Sequence, residues 1–99
     1  MFVVITEQYY GGGENIKVFK TKNEATEYVN EHGGELDMTI LEPKINNNSK
    51  TVYVVATEEC YGVTENSIFC TNEEAVEYSS KLLQRNMELD NFVFEISIL

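Results

Sequence analysis

Basic residues are scarce in this chain. Seven Lys and Arg stand against seventeen Asp and Glu, for a formal net charge of -10. Nucleic acid and anionic membranes are held by Lys and Arg that neutralise phosphate, so such a surface argues against direct binding to either. Histidine is scarcer still, with His32 as its single instance. A nucleophile–base pair cannot be assembled around it from any motif, and no Cys/His cluster has zinc spacing. Nor is there an aspartate-rich loop of the calcium type. The expectation is therefore a non-enzymatic protein with no catalytic residues, no cofactor and no metal. Cysteine occurs twice, as Cys60 and Cys70. One is placed near a hairpin turn and the other at the far strand end, too far apart for disulfide geometry, and free thiols suit a reducing, cytoplasmic setting. No apolar run is long enough to span a membrane, and Met1 to Glu7 reads as a strand rather than a leader.

What the chain has in plenty is itself. VVITEQYYGGGEN at residues 3–15 is echoed by VVATEECYGVTEN at residues 54–66. After a one-residue slip, VFKTKNEATEY at residues 18–28 is echoed by IFCTNEEAVEY at residues 68–78. A period of this size reads as a repeated supersecondary unit. Each half alone buries too little surface to offset its ordering entropy, so the two are expected to pack together. The organisation that follows is a single domain over 1–99: a first unit at 1–43, a linker at 44–50 and a second unit at 51–99. The charge is uneven between them. Up to Lys50 there are five basic and eight acidic residues, and beyond it two and nine.

Each unit reads strand, strand, helix, strand. Phe2 to Glu7 and Val52 to Thr57 are nearly continuous apolar runs, the mark of central strands covered on both faces. Turn-like stretches follow, then second strands at Ile16 to Lys20 and Ser67 to Cys70. Thr21 stands three residues before Glu24, and Thr71 three before Glu74. Each pair spells a capping box, in which the Thr oxygen takes the N3 amide and the Glu side chain returns to the cap amide. The first helix should run to about His32, ahead of Gly33 and Gly34, with Ala25, Tyr28, Val29 and His32 as its buried stripe. The second should run from Asn72 to about Asn86, burying Ala75, Tyr78, Ser79, Leu82 and Leu83. Leu36 to Glu42 forms a third strand stopped by Pro43, and Phe92 to Ile98 alternates as the last. The polar stretch Lys44 to Lys50 reads as an exposed, mobile connection.

The fold class expected is therefore α+β: a tandem duplication of a β-β-α-β unit, mainly antiparallel, with six strands, two helices and a pseudo-twofold. Within each unit the strand order should be two-one-three. Two helices on one face leave the apolar second face of the central strands to be covered by the other unit or by a second copy. Exposed apolar area of that extent marks an interface, which gives the expectation of a homodimer.

The shared pattern T-E-x-x-Y-G-x-x-E-N is the candidate site. A ring beside carboxylates could grip a basic side chain by ion pairing and cation–π contact. The competing reading is a structural turn, with Gly and Asn supplying the backbone angles and Tyr packing over the hairpin. The partner-binding candidates are Glu7, Tyr10 and Glu14 from the first loop, Glu58, Glu59, Tyr61 and Glu65 from the second, and Glu73 and Glu77 from the second helix. Gly11 to Gly13 is no phosphate cradle, because no Lys-Ser/Thr pair follows and Glu14 would repel the ligand. Carboxylates at Glu24, Glu27 and Glu31, and at Glu73, Glu74 and Glu77, recur at helical spacing. They read as a solvated face, with Glu77 placed to pair with Lys81, or as an imitation of nucleic-acid phosphates. In size and acidity, and in no particular segment, the chain resembles small phage-encoded inhibitors of host nucleic-acid-binding proteins. The function expected is an acidic protein-binding module that occupies a basic surface of such a protein. The alternative is a small-molecule-binding or purely structural homo-oligomeric module, with a pocket between the units or at a dimer seam, lined by Tyr10 and Tyr61.

Overall fold

The computed structural model describes residues 1–7, 15–32, 37–46, 48–57, 63–85 and 90–99. Strand β1 (Phe2–Glu7) is followed by β2 (Ile16–Phe19), helix α1 (Lys22–His32) and β3 (Asp37–Leu41). The second half runs β4 (Thr51–Ala56), β5 (Ile68–Phe69), α2 (Asn72–Arg85) and β6 (Phe92–Ser97). The strands form two three-stranded antiparallel sheets, ordered β2-β1-β3 and β5-β4-β6. The architecture is α+β, and in both sheets the first strand of the half lies in the middle.

Register decides which side chains face which way. Val3 lies opposite Val18 and Leu41, and Ile5 opposite Ile16. Val54 lies opposite Ile68 and Phe94, and Val52 opposite Ile96. Because strand side chains alternate between faces, these residues form one face of each sheet. The two faces meet: Val3, Ile5, Ile16, Val18, Leu41, Val52, Val54, Ala56 and Ile68 make a single buried cluster. The second apolar face is thus covered by the other half of the chain. No second copy is needed to bury it, which removes the reason for expecting a dimer from that face.

The opposite faces carry the helices. Val4, Phe19 and Ala25 form a second buried cluster, with Phe2, Tyr28, Val29 and Met38 packed against it. Ala25 and Ala75 are fully buried, so each helix approaches its sheet through a methyl group. An aromatic pair flanks each alanine. Phe19 and Tyr28 have ring centroids 5.4 Å apart, and Phe69 and Tyr78 are 5.2 Å apart, both tilted. Such pairs contribute about 0.5–1.5 kcal/mol beyond the area they bury. The order of layers is therefore helix, sheet, sheet, helix. The sheets also join at one edge, where Ile98 bridges Val18 in parallel and the Leu99 amide donates to the Val18 carbonyl at 2.8 Å.

Several boundaries and burials differ from those expected. β5 is two residues long, because a 3-10 turn at Glu65–Ser67 takes the start of the expected strand. Local hydroxyls hold that turn: the Thr64 amide donates to Ser67 Oγ at 3.3 Å, and the Asn66 amide donates to Thr64 Oγ1 at 3.2 Å. Such side-chain bonds compete with a ladder for the same backbone groups. β2 stops at Phe19, one residue early, and β3 at Leu41. His32, expected in the stripe of α1, is exposed and stands edge-on to Tyr28 with centroids 4.4 Å apart. Leu83, expected to be buried, is 40% exposed, since it lies beyond the helix face centred on Ala75, Tyr78 and Leu82.

The connection after β3 is not a free linker along its whole length. Pro43 is buried and Ile45 packs against the core shared by the two sheets. The Cys70 thiol donates to the Asn46 carbonyl across a 3.5 Å separation. The Ile98 amide donates to the Lys50 carbonyl at 2.7 Å. Ile45 supplies the apolar anchor that a count of polar residues in this stretch obscures.

Candidate functional site

The candidate loops lie largely beyond what the structure describes. Tyr10, Glu14, Glu58, Glu59 and Tyr61 fall outside the described residues, and for Glu7 only the backbone is described. Three candidates are placed. Glu65 opens the 3-10 turn and is exposed; Glu73 and Glu77 are exposed on α2.

Helix α2 is started by Thr71. Its Oγ1 accepts the Glu74 amide at 3.3 Å and donates to Glu74 Oε1 at 3.0 Å. Thr21 and Glu24 make the same two contacts at the start of α1, at 3.2 and 2.9 Å. The return contact of each box thus falls on the hydroxyl, where the expected one falls on the cap amide. Glu73 and Glu74 stand in the first turn of α2, where the helix dipole favours negative charge. One turn on, Glu77 pairs with Lys81 at 3.2 Å, as the i,i+4 spacing predicts. Both side chains are about two-thirds exposed, so the pair contributes about 0.3–0.5 kcal/mol and is screened by salt.

The layer order separates the two carboxylate rows. Glu24, Glu27 and Glu31 belong to α1 on one outer face, and Glu73, Glu74 and Glu77 to α2 on the other. Two sheets lie between them. One flat partner surface can meet one row, and the structure does not combine them into a single array.

A different group of residues is brought together. A groove of about 570 Å³ runs between the halves, lined by Glu42, Lys44, Ile45, Glu65, Asn66, Ile68, Phe69 and Glu74. Ile68 is buried at its floor, Ile45 and Phe69 are half-buried, and the four charged residues are exposed. Three carboxylates and one ammonium therefore surround an apolar base. Glu65 and Asn66 close the repeated pattern in the second half, so one end of that pattern does reach a concave surface. The sequence did not point to Glu42, Lys44 or Ile45, because they belong to the connection after β3. Their only signal was Ile45, a lone apolar residue in a polar stretch.

Beside the groove, Cys70 is a free thiol. Burial pushes its pKa above the usual value of 9.0, and the charge of Glu74 pushes it further the same way. It is held protonated at neutral pH, the opposite of an activated nucleophile. Among the described residues, no group of three or more His, Cys, Asp or Glu is placed to hold a metal ion. None of the described helices is long and apolar enough to cross a membrane. Comparison with known proteins finds no family model, no curated protein and no solved structure that matches this chain.

Proposed function

We propose that this protein is a non-enzymatic binding module that engages a basic protein partner through the acidic surface of its second half. The observation that carries the reading is the exposure of Glu65, Glu73, Glu74 and Glu77 within a half bearing nine acidic and two basic residues. A field of that sign steers basic partners and repels polyanions. The partner class it suits is a nucleic-acid-binding protein, whose phosphate-binding surface the carboxylates of α2 would occupy. The recurring element order, strand order and Phe–Tyr pairs support reading the chain as a tandem duplication of a β-β-α-β unit about a pseudo-twofold, folded as one domain. The cytoplasmic setting rests on the free thiol of Cys70.

The test is capture of partners from lysate of the source cells on immobilised protein, eluted by a salt step with and without duplex DNA. Recovery of one basic nucleic-acid-binding protein, displaced by DNA and weakened by salt, is the expected result. A partner retained equally at low and high salt would sink the electrostatic reading, since salt screens exposed charges, over about 10 Å at 0.1 M and over shorter distances as salt rises.

The groove favours a second reading, a small-molecule site between the halves. Its volume falls within the range of about 300–1,000 Å³ typical of ligand pockets. It predicts a rise in thermal stability with a cationic metabolite, because a ligand selective for the folded state adds stability by mass action. An unchanged melting temperature across a panel of polyamines and amino-acid derivatives counts against it.

A further inference from the structure

The groove and the sheet edges together say more than acidity does. The two sheets meet along two seams, and the seams differ. Along the first, beside β2, the chain closes the gap itself: Ile98 bridges Val18 and the Leu99 amide donates to the Val18 carbonyl. Register locates the matching place along the second seam. Leu41 lies opposite Val3 and Phe94 opposite Val54, so the counterpart of Ile98, four residues past Phe94, is Ile45, four past Leu41. Ile45 does pack against the shared core, and the next residue accepts the Cys70 thiol. Yet it is between Glu42–Ile45 and Glu65–Phe69 that the groove remains open.

From this we infer that the second seam is the seat of an extended, arginine-bearing segment of the protein partner, an inference that rests on the acidic-binding reading above. Charge complementarity selects the occupant. Glu42, Glu65 and Glu74 outweigh Lys44 and leave the rim net negative, while Ile45, Ile68 and Phe69 supply an apolar floor. An arginine satisfies both, because its aliphatic stem covers apolar surface and its guanidinium fork pairs with carboxylates. A purely apolar segment would strand the carboxylates without partners, and an acidic one would be repelled.

The probe is a short fluorescent peptide of alternating Arg and Val, titrated into the full-length chain near physiological salt. Two charge-reversal pairs separate place from charge. Glu42→Lys with Glu65→Lys alters the groove, whereas Glu27→Lys with Glu31→Lys makes the same change in net charge on α1. Glu74 is left intact because it closes the cap of α2. The groove pair should weaken binding by about tenfold and the α1 pair by no more than about twofold. In the unaltered protein, the amide resonances of Ile45, Ile68 and Phe69 should shift on titration. Equal losses in both pairs, with shifts spread along the helices, would overturn the seam and leave the acidic-surface reading standing. Absence of any binding by the unaltered protein, at low salt as well, would overturn both.

Discussion

At the residue scale, Cys70 is the side chain whose chemistry the fold alters most visibly. A thiol reacts as its thiolate, so a group held protonated reacts slowly at neutral pH. Burial and the neighbouring Glu74 act in the same direction, burial more strongly. With Cys60→Ser removing the other thiol, reaction of Cys70 with an aromatic disulfide reagent should be at least about threefold slower than that of a small free thiol at pH 8. Its rate should climb with pH through a midpoint above 9.0. Glu74→Gln keeps a residue suited to the cap but deletes the charge, so it should bring that midpoint down. A rate matching the free thiol would show that neither burial nor Glu74 acts on the sulfur. The sequence reached part of this: the distance between Cys60 and Cys70 along a hairpin argued against a bridge. It could not supply the Asn46 carbonyl, because that contact joins residues 24 apart in sequence.

At the element scale, the two helices make a paired experiment. Thr21→Ala and Thr71→Ala each remove the acceptor of an N3 amide, and each should lower unfolding free energy by about 1 kcal/mol in urea denaturation. Because the helices lie on opposite outer faces, the double variant should lose the sum. A cost well above the sum would mean that the two starts are coupled through the core. These helices were legible because caps and apolar spacing are local signals, written within a few residues. The strands were legible for the same reason, except where local chemistry intervened. β5 lost Ser67 to the 3-10 turn because the hydroxyls of Thr64 and Ser67 captured the amides of that turn. The groove escaped notice for the opposite reason. Its walls come from the connection after β3, the 3-10 turn, β5 and the start of α2, and no pattern along the chain relates the first of these to the others.

For the molecule as a whole, alternation in the central strands showed that both faces were apolar but not what covered the second. The covering half is specified by contacts between residues far apart along the chain, and a second copy would have satisfied the same alternation. The structure puts Ile16 and Ile68, one from each half and both nearly fully buried, into one cluster. That has a thermodynamic consequence. Removing each half from the other would bare Val3, Ile5, Val52 and Val54 together, and fully burying such a side chain is worth about 1.5–3 kcal/mol. Neither half can hold its sheet with that face in water, so the chain should unfold in one transition. Ile68→Ala should cost about 2–5 kcal/mol by opening a cavity in the shared core. The loss should be read equally in hydrogen exchange of β1, in the half that carries no substitution. Protection of β1 that survives while β4 exchanges freely would show two independent units, and the shared core would then be a contact between folded halves rather than the condition for folding either.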